Sequence, residues 1–131
     1  MTKLQSYRDL EVWKRSIDLV EQIYRVSKSF PQSERFGLTS QIRRAAVSVP
    51  ANIAEGAART GTGEYLQFLS VASGSLAEVE TLLTLAHRLE LLAEQELSKL
   101  QERSAEIGRM LSGLKRSLQS RRSLPRTSRS P

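Results

Sequence analysis

Apolar residues recur every three or four positions along most of this 131-residue chain. That spacing gathers them on one face of an α-helix. Leu10, Trp13, Ile17, Val20 and Tyr24 make the first such row, with Asp9 predicted as the N-cap in front of it. Pro31 and Gly37 then punctuate the stretch SFPQSERFG. A second helix is predicted from about Gly37 to Arg59, and a third from about Gly63 to Leu89. Tyr65, Leu69, Ala72, Leu76, Val79, Leu83 and Ala86 stand in register along the third. The fourth starts near Ala93 and sets Leu97, Leu100, Ile107, Leu111, Leu114 and Leu118 at heptad spacing. No run reads as a strand. Short joints favour antiparallel neighbours. The predicted fold class is all-α, an antiparallel up-down-up-down four-helix bundle.

The second helix carries more than one pattern. Leu38, Ile42, Ala45, Val49 and Ile53 fall on one side at about 100° per residue, and that side should enter the core. Ser40, Val47, Ala51, Ala54 and Ala58 fall on another. Small residues there permit close approach of a second backbone. A polar stripe of Gln41, Arg44, Ser48, Asn52, Glu55 and Arg59 runs between the two faces. A bundle helix needs one buried face, so the second predicts a partner, most simply another subunit. The plainer alternative is alanine promoting helix on an exposed face.

Pro50 lies inside this segment. It lacks an amide donor and crowds the preceding turn, so a kink or break is predicted, with Ser48 capping the renewed helix. Gly56 and Gly74 each weaken a helix by about 1 kcal/mol relative to alanine. Close packing is the expected compensation, in company with Ala51, Ala54 and Ala58. Glu55 and Arg59 form an i,i+4 pair of favourable orientation. Ser75, Glu78 and Glu80 on the third helix are candidates to meet Arg44 or Asn52. These carboxylates admit a general acid–base reading. A satisfied polar network that fixes register and subunit contacts is the alternative, and it needs no nucleophile.

Charge changes the picture once it is located. The net charge is +6, yet Lys115, Arg116, Arg121, Arg122, Arg126 and Arg129 sit at the end of the chain with no acid among them. Without those six of the 20 basic residues, 14 remain to balance 14 acidic ones. Residues 1–118 are therefore assigned to the bundle domain, and 119–131 to a disordered Arg/Ser-rich tail that buries too little to order itself. The six tail residues, with Arg43 and Arg44 on the body, are the candidate contacts to RNA or DNA. A solvated terminus without a ligand is the alternative. Aromatic residues do not interleave with the tail charges, so sequence-specific recognition is not predicted.

Other chemistries lack their residues. There is no cysteine, and His87 is the single histidine, with Thr84 three residues before it. Paired Glu-x-x-His motifs and a phosphate-cradling glycine loop are both missing from the sequence. No cofactor and no metal are expected. The N-terminus lacks the apolar stretch of a signal peptide, and no membrane span is expected, which places the protein in the cytoplasm. The expected role is non-enzymatic: an oligomeric adaptor contacting nucleic acid, or alternatively a scaffold for a polymerase or another protein.

DLEVWKRSIDL (9–19), FPQSERFGLTSQIRRAAVSVPANIAEGAAR (30–59) and EYLQFLSVASGSLAEVETLL (64–83) come in an order that resembles the 23S rRNA intervening-sequence proteins. The resemblance covers about residues 7–92; the last helix matches in pattern only. It implies a left-handed four-helix bundle that assembles as a homopentamer. It also implies kinship to the accessory determinant of diversity-generating retroelements, which partners a reverse transcriptase and binds nucleic acid. The recurring positions of the family map onto Gln41, Arg44, Ser48, Pro50, Asn52, Glu55, Gly56, Arg59, Gly74, Ser75 and Glu78.

Overall fold

The computed structural model describes residues 6–123. Four helices follow in order: α1 Glu11–Ser27, α2 Leu38–Ala57, α3 Thr62–Arg88 and α4 Glu94–Ser123. Two short 3-10 turns, Tyr7–Asp9 and Gln32–Glu34, precede α1 and α2. There is no strand among the described residues. Each helix packs on its neighbours in sequence, and α1 closes on α4. Short joints and this square of contacts make an antiparallel four-helix bundle, as the periodicity predicts.

The core is aliphatic apart from Phe30. Leu38, Ile42, Ala45, Val49 and Ile53 of α2 are all buried, and so are Leu69, Ala72, Leu76, Val79, Leu83 and Ala86 of α3. Leu100, Ile107, Leu111 and Leu118 of α4 complete it. These are the rows read from the sequence, except that Tyr65, Leu97 and Leu114 are half-buried at the edge of the core. The α1 row is different. Val12, Ser16, Leu19, Ile23 and Ser27 are buried, while Leu10, Trp13 and Val20 pack at the edge, Ile17 is half-buried and Tyr24 is exposed. The predicted face was one helix step off. Ser16 hides among the apolar residues because its Oγ donates to the Val12 carbonyl at 2.7 Å, so its burial leaves nothing unpaired.

Three local expectations also change. Asp9 does not cap α1, whose N-cap is Leu10 with no side-chain bond. Its carboxylate instead accepts from the Ser6 amide at 3.2 Å and closes the preceding 3-10 turn. Pro50 does not break α2, which runs unbroken through it, and Ser48 is not an N-cap. The Pro50 ring is buried, and the amide it lacks is the one that would have bonded the Ala46 carbonyl. The α2 start is capped from outside, by the Glu34 carboxylate accepting from the Leu38 amide at 3.1 Å.

The expected boundary at residue 119 falls inside α4, which continues to Ser123. Leu118 is buried and holds this last stretch against the bundle. Arg126 and Arg129 lie outside the described residues. Helix α3 is long and apolar enough to cross a membrane by length and composition alone, contrary to the sequence expectation. A core helix passes the same test, and here its apolar row faces α2 and α4.

Candidate nucleic-acid interface and polar seam

Helices α2 and α3 approach closely because Gly56 lets them. A Cβ at Gly56 would stand 2.9 Å from both Phe68 Cβ and Tyr65 Cδ1, and 3.2 Å from the Tyr65 carbonyl oxygen. Further along the same seam, the Ser48 and Ser75 hydroxyls lie 2.7 Å apart. Asn52 Nδ2 donates to Ser48 Oγ at 2.9 Å and to the Ser48 carbonyl at 2.8 Å. Gln41, Arg44, Ser48, Ser75 and Glu78 line one shallow hollow of about 240 Å³. The polar stripe and its α3 counterpart are therefore brought together, with serine rather than glutamate as the meeting point. Neither Arg44, Glu78 nor Glu80 forms an ion pair with another described residue.

Toward the end of α2, Arg59 Nη2 donates to Glu55 Oε2 at 2.9 Å, the pair expected from the spacing. The same guanidinium lies 4.8 Å from the Phe68 ring centroid. Ala51 and Ala58 are exposed, Ala54 is half-buried, and Val47 retains 43% of its surface. On α3, Val71 is 48% exposed, and a Cβ at Gly74 would meet nothing within 4 Å. The close packing expected at Gly56 is present; at Gly74 there is none among the described residues. Its side of α3 opens outward.

The basic residues of α4 sit where α4 ends beside the start of α3. Lys115 Nζ donates to Ser73 Oγ at 3.0 Å. The Arg122 guanidinium comes within 3.4 Å of the space a Cβ on Gly63 would fill. Burial raises the Tyr65 phenol above its ordinary pKa, and nearby Arg121 opposes that rise. Lys115, Arg116, Arg121 and Arg122 have no ion-pair partner among the described residues. No acidic residue follows Glu106 in the chain to neutralise them. Ordered helix thus presents four of the six predicted tail cations at one end of the bundle.

Arg43 and Arg44 separate, although they are adjacent in sequence. Arg44 lines the polar hollow, whereas Arg43 turns to the corner between α1 and α2. There its Nε donates to Ser27 Oγ at 2.8 Å, and its guanidinium lies 4.5 Å from the Tyr24 ring centroid. Tyr24 and Ser27 were not predicted to act with Arg43. Ser27 and Arg43 lie 16 residues apart on consecutive helices, but sequence alone does not fix which rotations face each other. No cluster of three metal-ligating side chains occurs among the described residues.

Comparison with known proteins bears on the fold and the family. A crystal structure of a protein of unknown function from the S23 ribosomal protein family of Bacteroides thetaiotaomicron superposes with a TM-score of 0.75. It is 24% identical, and the match covers 80% of this chain and 95% of that one, which shows a shared fold. No curated protein matches. The family model for the 23S rRNA-intervening sequence protein matches residues 8–113. That match runs past residue 92 and takes in most of α4, more than the sequence resemblance covers. A match over most of the bundle places this chain in the 23S rRNA-intervening sequence protein family.

Proposed function

We propose that the protein is a non-enzymatic homo-oligomeric adaptor, pentameric as its resemblance implies, that holds RNA or DNA through the basic end of α4. The observation that carries the reading is the unpaired charge there. Lys115, Arg116, Arg121 and Arg122 stand on one helical segment without a compensating acid. Such a segment attracts phosphates and releases their counterions. The outward flanks of α2 and α3, with Val47, Ala51, Val71 and Gly74 uncovered, support assembly. Several copies on one particle would add weak contacts through effective concentration.

Binding to labelled duplex, measured across a range of salt concentrations, tests the nucleic-acid part. Replacing Arg116, Arg121 and Arg122 with glutamine should reduce the logarithmic salt slope by up to about 3 per engaged copy. An unchanged slope would remove α4 from the interface. Light scattering tests assembly: a particle of several protomers is expected, and a monomer at micromolar concentration refutes it. The same open flank also suits a scaffold for a polymerase or another protein. Recovery of a protein partner after nuclease treatment, with no affinity for nucleic acid, would favour that second reading.

A further inference from the structure

The corner between α1 and α2 combines charge, a hollow and an exposed ring. A pocket of about 380 Å³ opens there, lined by Ser27, Lys28, Arg35, Thr39 and Arg43 among others, with no carboxylate in its wall. Glu34, the acid nearest in sequence, is engaged in capping α2 at Leu38. Arg43 is held in place: Nε bonds Ser27 Oγ at 2.8 Å, Nη2 bonds the Tyr24 carbonyl at 3.3 Å, and the guanidinium lies against the Tyr24 ring. Its Nη1 has no hydrogen-bond partner among the described residues. Thr39 is 8% exposed, and its Oγ is likewise unpartnered among them. Beside this pocket Phe36 is 87% exposed, with the Arg35 guanidinium 5.3 Å from its ring centroid.

We propose that this corner is a contact site for single-stranded nucleic acid, with a backbone phosphate in the pocket between Lys28, Arg35 and Arg43 and an unpaired base stacked on Phe36. Three cations without a facing acid select a polyanion over an ordinary protein surface. A phosphate oxygen suits a guanidinium already oriented by two hydrogen bonds, since little freedom remains to be lost on binding. A phenylalanine left in water beside them supplies the aromatic face that an unstacked base covers. A duplex keeps its bases inside and cannot use that face. The site rests on the nucleic-acid reading above and adds to it a preference for unpaired strands. It also supplies the aromatic partner that the tail charges lack.

Fluorescence anisotropy with the full chain, a labelled single-stranded homopolymer and a labelled duplex tests the site. Phe36→Ala should weaken single-strand binding at least about fivefold and leave duplex binding unchanged, and Phe36→Trp should restore it. Lys28→Ala with Arg35→Ala should lower the single-strand salt slope by about 1.4. The glutamine variant of α4 should weaken both nucleic acids. If that variant does so while Phe36→Ala changes nothing, the corner site is overturned and the α4 reading stands. If the full chain binds neither nucleic acid, both fall. Light scattering on Phe36→Ala closes the remaining route: a changed particle mass would assign the ring to a subunit contact and overturn the proposal.

Discussion

The α2–α3 seam and the α1–α4 seam hold the same bundle together by different means. The first is built on small residues. Gly56 brings the backbones close, the Ser48 and Ser75 hydroxyls meet across the remaining gap, and Asn52 donates to Ser48 on its own helix. The second is built on long side chains. Arg15 bridges to Glu106 at 2.6 Å while also pairing with Glu11, all at the solvent edge. Polar atoms on its two helices are less well served: Ser104 of α4 is fully buried and its hydroxyl has no partner among the described residues, and Gln22 Oε1 of α1 is likewise buried and unpartnered among them. Between the helices a hollow of about 220 Å³ remains, lined by Gln22, Arg25, Glu96, Lys99 and Arg103 among others. Tight seams tolerate little added volume; loose ones tolerate change and can even gain from it.

That contrast can be broken by substitution. Gly56→Val places atoms where Phe68 and Tyr65 already stand, so a loss of about 3 kcal/mol is expected in chemical denaturation. Ser48→Ala strips the seam of its shared hydroxyl and leaves Ser75 short of a partner, at a cost of about 1 kcal/mol by the same measurement. On the loose side the sign should reverse. Ser104→Ala removes a buried hydroxyl that gains nothing from its surroundings, and stability should rise by up to about 1 kcal/mol. A loss there would mean that the hydroxyl is satisfied and the two seams are alike.

The smallest effect sharpens the comparison through pH. Burial raises the Tyr65 phenol, so the folded state holds this proton more tightly than the unfolded chain does. Stability from this source is fully present below the ordinary tyrosine value of about 10 and is lost as pH climbs through the higher folded value. Denaturation midpoints for the parent should therefore fall faster than those of Tyr65→Phe above about pH 10. Parallel curves would show that the phenol at this seam is not buried from water.

Much of this architecture can be read from residue order because α2 and α3 spend aliphatic side chains on the core. Their rows have few interruptions, and period alone finds them. Helix α1 defeats the same method. Its buried row includes Ser16 and Ser27, whose hydroxyls bond to the carbonyls of Val12 and Tyr24 and so pass as core residues. The cleaner row through Trp13, Val20 and Tyr24 is the flank. The end of α4 departs from its sequence expectation for a related reason. Serine and arginine suggest disorder by composition, but one buried leucine, Leu118, ties their backbone to the bundle. At the polar seam, the stripe and its α3 partners were legible from spacing. The pairing of Ser48 with Ser75 was not, since it depends on the relative slide of two helices. The corner at Phe36 lay further out of reach, because it draws residues from α1, the joint and α2.

At the far end of α3, the backbone turns through Glu90 at φ 63°, a left-handed twist that side chains resist. The Leu91 amide reaches back to the Ala86 carbonyl, and the Glu90 amide to that of His87, both at 2.9 Å. This is the Schellman arrangement in which glycine ordinarily occupies the twisted position. The α3–α4 elbow therefore carries a built-in strain that one substitution would relieve. Glu90→Gly should raise the thermal midpoint, by an amount worth about 1 kcal/mol, while leaving both seams and the basic corner untouched.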